Sequence, residues 1–421
     1  MPPSEQLDTL VTVLDLVRSG ISTRPEVIRR SGLGRKVVTQ RLVQLGHAGL
    51  VTEGDLAPTT GGRAPRELQF HSDAGHVLVA ELGATSISVG VADLAGRLLD
   101  QHEEGAEVPT RPDETLSRVA KLFDELMARR PAGGSPLWGI GIGVLGPVDW
   151  ATGRPISLPT MTGWGDYPIR ERFAEQYNVP VWVDNEVNLM ALGELRNGLG
   201  QGERDLLFVK VGSGIGAGLI SGGLLHRGAS GSAGEAGHII VAEDSQVRCW
   251  CGNSGCVAAL ASGSALAREG EAAAADGSSP YLATIRMGEH PRPIDAEDVV
   301  AAAAQADSAA AELITRSGQY VGKMLAGLVN AYNPALILIG GSVAAGAGDL
   351  ILAAIRQVVY QRALPLATRN LRIALSPLSD RAGLVGAAFM VVDQLLSRKH
   401  LGRWIDNGTP SGRVDIIHAS P

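Results

Sequence analysis

An α/β body preceded by a small helical head with a β-wing is the fold class this sequence predicts. Three observations predict it. Apolar residues in the first 45 positions recur at helical spacing and stop at glycine-containing turns. A basic loop between two short strand-like runs follows, and from residue 75 strand-like runs alternate with helical stretches. A chain of 421 residues admits two or three domains. With 45% apolar and 19% charged residues it can build sizeable cores, which excludes a wholly disordered chain. No apolar run approaches the ~18 residues that span a bilayer, and Met1–Glu5 lacks a secretory pattern, so a cytoplasmic protein with no membrane partner is expected.

The head is read element by element. Leu7, Leu10, Val11, Leu14 and Val17 share one helical face, and Gly20 closes that helix. Thr23-Arg24-Pro25-Glu26 reads as a capping box opening a short helix through Arg30. Ser31-Gly32-Leu33-Gly34 is a turn of helix-turn-helix length. The third helix buries Val38, Leu42 and Leu45 and presents Arg35, Lys36, Thr39 and Gln40, as a recognition helix does to the major groove. Leu50–Glu53 and Glu67–Phe70 then flank a wing carrying Arg63 and Arg66, whose forked side chains suit phosphates or a narrow minor groove. The whole, residues 1–72, is a winged helix-turn-helix. Charge agrees. The net charge of −7 argues against a protein that coats nucleic acid, yet residues 1–70 carry nine Arg/Lys against seven Asp/Glu, a +2 module before a −9 body.

In the body, Val77–Glu81, Ser86–Val91, Leu137–Val144, Val179–Asp184, Leu206–Val211 and Ala335–Ile339 read as strands. Thr115–Arg129, Ile169–Gln176 and Asp307–Tyr332 read as helices. Glycine turns at Gly83, at Gly212–Gly216 and at Gly340-Gly341 follow strands, and each can cradle a phosphate on backbone amides. All three cysteines fall within eight residues, and with His238 they form His-x10-Cys-x-Cys-x4-Cys: His238, Cys249, Cys251 and Cys256. Three thiols and an imidazole are the donor set of a tetrahedral zinc site, and four protein ligands leave no open position. One structural zinc per chain, in a reducing compartment, is the expectation.

These segments resemble the ROK family (repressors, open reading frames and sugar kinases), and the resemblance covers essentially the whole chain. It rests on Gly234-Glu235-Ala236-Gly237-His238 and Cys249-Trp250-Cys251-Gly252-Asn253-Ser254-Gly255-Cys256, with support from Gly141–Asp149, Gly214–Gly218 and Arg227–Gly231. The resemblance implies an actin-like, two-lobed sugar-kinase fold of ribonuclease-H-like type. Residues 73–192 with 383–401 would form the small lobe, 193–382 the large lobe with the zinc site, and 402–421 a loose polar tail. The winged head followed by Gly62-Arg63-Ala64-Pro65 resembles the repressor branch. Asn185, Glu186, Glu235 and His238 match family positions that touch sugar hydroxyls.

The cleft departs from the kinase pattern. The family's catalytic Asp is matched by Glu186, its phosphate-turn Asp by Glu81, a sugar-binding Glu by Ala258, and an Asn by Thr160. Phosphoryl transfer depends on positioning, so these changes predict a degenerate kinase with no catalytic residue. The expected function is a DNA-binding regulator, a repressor of carbohydrate uptake or metabolism genes. It would act as a homodimer or homotetramer on a two-fold palindromic double-stranded operator, with a sugar or sugar phosphate as effector. Two alternatives stand beside it: an active ATP-dependent sugar kinase with an appended DNA module, and a regulator controlled by a protein partner.

Overall fold

The computed structural model describes residues 4–56, 66–108, 110–131, 133–156, 161–288 and 290–416. Three helices open the chain: α1 (Ser4–Arg18), α2 (Arg24–Ser31) and α3 (Arg35–His47). An antiparallel pair, β1 (Val51–Leu56) and β2 (Arg66–Phe70), completes the head, with Val51 opposite Phe70. Leu10, Leu14, Val27, Val38, Leu42 and Leu45 fill its core. Gly32 ends α2 at φ 68°, the left-handed conformation that turns the chain into α3. The expected capping box at Thr23 does not form. The Thr23 hydroxyl bonds no amide, and Glu26 is taken instead by Arg29 and Arg30. The wing tip, with Arg63, lies outside the described residues, as does Thr160.

The body holds two sheets built to one plan. In the first, β3 (His76–Leu82), β4 (Ser86–Asp93) and β5 (Leu98–Gly105) form an antiparallel meander. After α4 (Pro112–Ala128), β6 (Leu137–Val144) returns parallel to β3. The hairpin β7 (Val148–Asp149) and β8 (Arg154–Pro155), then α5 (Ile169–Tyr177), lead to β9 (Val181–Asn185), parallel to β6. α6 (Glu186–Asn197) crosses to the second sheet, where β10 (Leu206–Val211), β11 (Ile215–Ser221) and β12 (Leu224–Leu225) repeat the meander. The helices α7 (Val257–Ala261), α8 (Gly263–Asp276), α9 (Pro280–Met287), α10 (Ala296–Ala304) and α11 (Ser308–Tyr332) precede β13 (Leu336–Gly340), parallel to β10. α12 (Ser342–Arg362) and α13 (Pro365–Thr368) then lead to β14 (Arg372–Leu375), parallel to β13. Each sheet therefore has the order third-second-first-fourth-fifth, and this duplication is the actin-like two-lobed architecture.

α6 covers the second sheet, and α14 (Ala382–Leu395) covers the first. The two helices pack on each other between the sheets. A Cβ on Gly193 would lie 2.1 Å from the Ala382 carbonyl oxygen, and one on Gly386 only 1.8 Å from that of Leu189. Only glycine lets the two backbones approach so closely. α12 is long and apolar enough to cross a membrane by length and composition, but its inner face, with Ile351, Ile355 and Val359, lies in the core against α11.

The expected loose tail is not loose where it is described. After α15 (Arg398–Trp404), Trp404 and Ile416 are fully buried, Trp404 meets Trp138 edge-on at 5.0 Å, and Ser411 Oγ donates to the Leu137 carbonyl at 2.5 Å. The apolar residues scattered through that polar stretch anchor it. Trp404 and Ile416 also share one continuous core with Leu10 and Leu14 of α1, so the head is packed on the body rather than tethered to it.

Candidate functional site

A cavity of about 400 Å³ opens between the lobes, and Asn185, Glu186, Glu235 and His238 all line it. Asn185 and Glu186 reach it because β9 ends there and α6 begins. Asn185 is that helix's N-cap: its Oδ1 accepts from the amides of Val187 (2.8 Å) and Asn188 (3.1 Å), and its Nδ2 donates to the Gly146 carbonyl (2.8 Å). Most of its hydrogen-bonding capacity is therefore spent on the fold. Asp184 beside it accepts from Arg227 Nε at 2.8 Å, and that guanidinium lies 3.7 Å from the centroid of the Trp150 ring. This contact joins the first sheet to the loop after β12.

Glu186 is occupied too. Lys210 of β10 donates from Nζ to Glu186 Oε2 at 2.7 Å, with both side chains largely buried. Burial works against the Lys210 ammonium, but Glu186 and Glu81 outweigh it and hold its pKa above the ordinary lysine value. Glu81 is only 8% exposed and its Oε2 has no hydrogen-bond partner. Burial pushes its carboxyl up to about 8; Lys210 pulls against this, and Glu186 adds repulsion. Lys210 is thus bonded to Glu186 alone, while burial biases the neighbouring Glu81 toward its protonated form. One oxygen of the Glu186 carboxylate already accepts from an ammonium ion, which lowers its basicity. The glycine turn at Gly212–Gly214 links β10 to β11 as a hairpin, and Lys210 Cε passes 3.5 Å from where a Gly212 Cβ would stand.

The His/Cys cluster borders the same cavity. Cys251 Sγ and Cys256 Sγ are 3.7 Å apart, His238 Nδ1 is 3.5 Å from Cys249 Sγ, and all four donor atoms lie within 4.8 Å of one another. Ligands about 2.3 Å from a tetrahedral ion lie roughly 3.8 Å apart, so the donors fit a metal ion. Burial and then the neighbouring thiols push Cys256 up to about 12, so a cation is what would keep these thiolates ionised together. Burial holds His238 below its usual pKa, which suits a neutral imidazole ligand. Its Nδ1 faces the thiols while Nε2 faces Glu235, 3.7 Å from Oε2. Trp250 meets the imidazole edge-on at 4.4 Å and forms part of the cavity wall. Ala258 lines the cavity and supplies no polar group there.

On the head, Arg35, Lys36 and Gln40 of α3 are exposed and Thr39 is half-buried; Arg66 is exposed at the start of β2. Not every basic residue of the region is available. Arg41 is 6% exposed and ties α3 to α1 through Thr9 Oγ1 at 2.9 Å, Arg24 pairs with Glu53, and Arg29 and Arg30 share Glu26. Far from the cleft, Asp393 near the end of α14 accepts from Arg18 of α1 at 2.8 Å and from Arg196 of α6 at 2.6 Å. Arg18 also lies over the Phe70 ring of β2 at 5.8 Å.

The structure thus gathers all four expected cleft residues and all four expected metal ligands, and it sets four of the six expected DNA contacts on the head's outer surface, with Arg63 undescribed and Thr39 half-buried. Sequence reasoning missed Lys210 and Asp393. The signal for each was a lone charge in an apolar element: Lys210 in Leu206–Val211, and Asp393 in Ala382–Leu395.

Comparison with known proteins agrees with this geometry. A xylose repressor from Caldicellulosiruptor bescii is 29% identical over 401 residues, covering 93% of this chain and 97% of its own. A glucokinase from Halalkalibacterium halodurans is 32% identical over 327 residues, covering 77% of this chain and 96% of its own. Among solved structures, a ROK family transcriptional regulator, a homolog of the E. coli MLC protein, superposes with a TM-score of 0.80 at 24% identity, covering 99% of this chain and 100% of that one. The ROK family pattern matches residues 77–394, three quarters of the sequence, and the chain belongs to the ROK family.

Proposed function

We propose that the protein is a sugar-responsive transcriptional repressor whose kinase-like cleft senses a ligand and no longer transfers phosphate. The observation that carries the reading is the path between cleft and head. α6 starts at Asn185–Glu186 in the cleft and α14 starts beside Glu81, where a Cβ on Gly383 would come 1.6 Å from Glu81 Oε2. Both helices end at Asp393, which holds Arg18 of the head. A ligand that favours one spacing of the lobes would tilt these two helices and thereby the head. The head would dock α3 in the major groove through Arg35, Lys36, Thr39 and Gln40, with Arg63 and Arg66 on the wing, and a homodimer or homotetramer would present two heads to a two-fold operator.

The similarity to a xylose repressor over nearly the whole chain supports this reading, and similarity to a glucokinase leaves almost a quarter of the chain unmatched. The loss of kinase activity rests on the Lys210–Glu186 pair, which occupies the residue matching the family's general base. In the cleft, Glu186 Oε1, Glu235 and His238 Nε2 remain to meet sugar hydroxyls, with Asn185 holding the turn that aims Glu186. The metal is assigned as one structural zinc on His238, Cys249, Cys251 and Cys256. Bound there, it would tie the Cys249–Cys256 loop to His238 and so fix one wall of the cleft. The proposed domain limits are 1–72 for the head, 73–192 with 383–401 for the small lobe and 193–382 for the large lobe, the limit at 192 falling inside α6, which packs on the second sheet. Thermal unfolding with a panel of sugars, sugar phosphates and ATP tests the sensing role, because an effector stabilises the folded state by mass action. One stabilising sugar without sugar-dependent ADP release is expected. Turnover of ATP on any sugar would overturn the loss of kinase activity.

A further inference from the structure

The outer face of α3 carries one residue that charge alone does not explain. At 100° per residue, Lys36, Gln40, Val43 and His47 fall within an arc of about 60°, opposite the buried Val38, Leu42 and Leu45. Val43 is 51% exposed, and among the residues before His76 whose side-chain exposure is described it is the only large apolar one left exposed. Its polar neighbours are sorted by their partners. Gln44 is taken by Arg41 (3.2 Å) and Arg41 itself is internal, whereas Lys36, Gln40 and His47 make no side-chain hydrogen bond or ion pair among the described residues. The stripe is therefore a row of uncommitted donors and acceptors with one β-branched apolar residue in its third turn.

In the major groove each base pair offers hydrogen-bonding atoms, and the only apolar feature on any base edge is the 5-methyl group of thymine. We propose that Val43 is a specificity-determining residue that reads a thymine methyl group in each half-site. The assignment rests on the reading of α3 as a recognition helix. Arg35 and Lys36 at its N-terminal end supply the charge that brings the helix against the phosphates, and Gln40 one turn before Val43 can take an adenine edge. With Gln40 and Val43 three residues apart on one stripe, the methyl should lie within a base pair or two of the position read by Gln40.

The test uses the full-length protein and a randomised duplex library. Selection should enrich a two-fold site, and each thymine in it is then replaced singly by deoxyuridine, which removes the methyl group alone. One thymine per half-site should lose about fourfold in affinity, the value of one buried methyl group. Val43→Ala should bind the selected site more weakly by a similar factor and lose that sensitivity to deoxyuridine. Because Val43 is exposed, this variant keeps its core, and its unfolding temperature should match the wild type. An enriched site indifferent to every deoxyuridine replacement, or equal sensitivity in Val43→Ala, would overturn the assignment and leave DNA binding standing. A library with no enriched sequence would overturn the DNA-binding reading and this assignment with it.

Discussion

Replacing Asp393 with alanine should uncouple the cleft from the head. The carboxylate accepts from Arg18 at 2.8 Å and from Arg196 at 2.6 Å, so one substitution removes ties to both α1 and α6. Their worth follows from exposure. Arg18 is 14% exposed, and a charge-assisted hydrogen bond there contributes about 1.5 kcal/mol. Arg196 is 37% exposed and screened by water, so its pair contributes about 0.5 kcal/mol. A loss near 2 kcal/mol corresponds to a factor of roughly 30 in any equilibrium that depends on head docking. Allosteric couplings are typically about 1–3 kcal/mol, so the loss is comparable to the whole expected response. The assay is fluorescence anisotropy of operator DNA, titrated with and without the stabilising sugar. Asp393→Ala should bind both ligands while its sugar-dependent change in DNA affinity falls several-fold, and Asp393→Glu should recover part of it. The apolar contacts of α1 with the body keep the variant folded. A folded variant with an undiminished sugar response would refute the coupling path.

Other outcomes follow from the cleft. Lys210→Met leaves Glu186 buried without its cation and should cost about 3–5 kcal/mol in denaturant unfolding, whereas Lys210→Met with Glu186→Gln should recover much of it; a silent single substitution would contradict the buried pair. Glu81, raised by burial to about 8 from 4.5, keeps its proton in the fold after the unfolded chain has lost it. Its stabilising contribution is complete below pH 4.5 and is lost as pH rises to about 8. Glu81→Gln should therefore gain stability relative to the wild type across that window, and a pH-independent difference would remove Glu81 from the account. Purified protein should carry one zinc per chain by elemental analysis. A chelator or Cys251→Ser should lower the unfolding temperature and weaken the response to sugar more than the affinity for DNA, and protein without metal but with full response would contradict the structural role.

The parts most legible in the sequence were those fixed by local pattern. The head's helices follow from apolar spacing and the Gly32 turn, and Leu137–Val144 and Leu206–Val211 have the expected bounds because both are largely apolar runs buried on both faces, Lys210 alone interrupting the second. β5 was not legible, since Leu98–Gly105 alternates half-exposed and exposed residues at a sheet edge. β11 was read as part of a glycine turn because its glycines, needed where α6 packs against it, conceal a strand. The His/Cys cluster could be read as a set because cysteine is so sparse. The proposed sugar contacts could not be fully weighed, because the Asn185–Gly146 bond and the Lys210–Glu186 pair join residues 39 and 24 positions apart. The same holds for Asp393, whose partners are 375 and 197 residues away.

If cleft and head form one device, sugar and operator must influence each other's binding reciprocally. Sugar affinity should be measured with and without saturating operator, and operator affinity with and without saturating sugar, on the same protein. A change of about 5- to 150-fold, equal in the two directions, is expected, as linkage requires. Specific operator binding that no sugar or sugar phosphate alters, beside a cleft that still binds one, would contradict it.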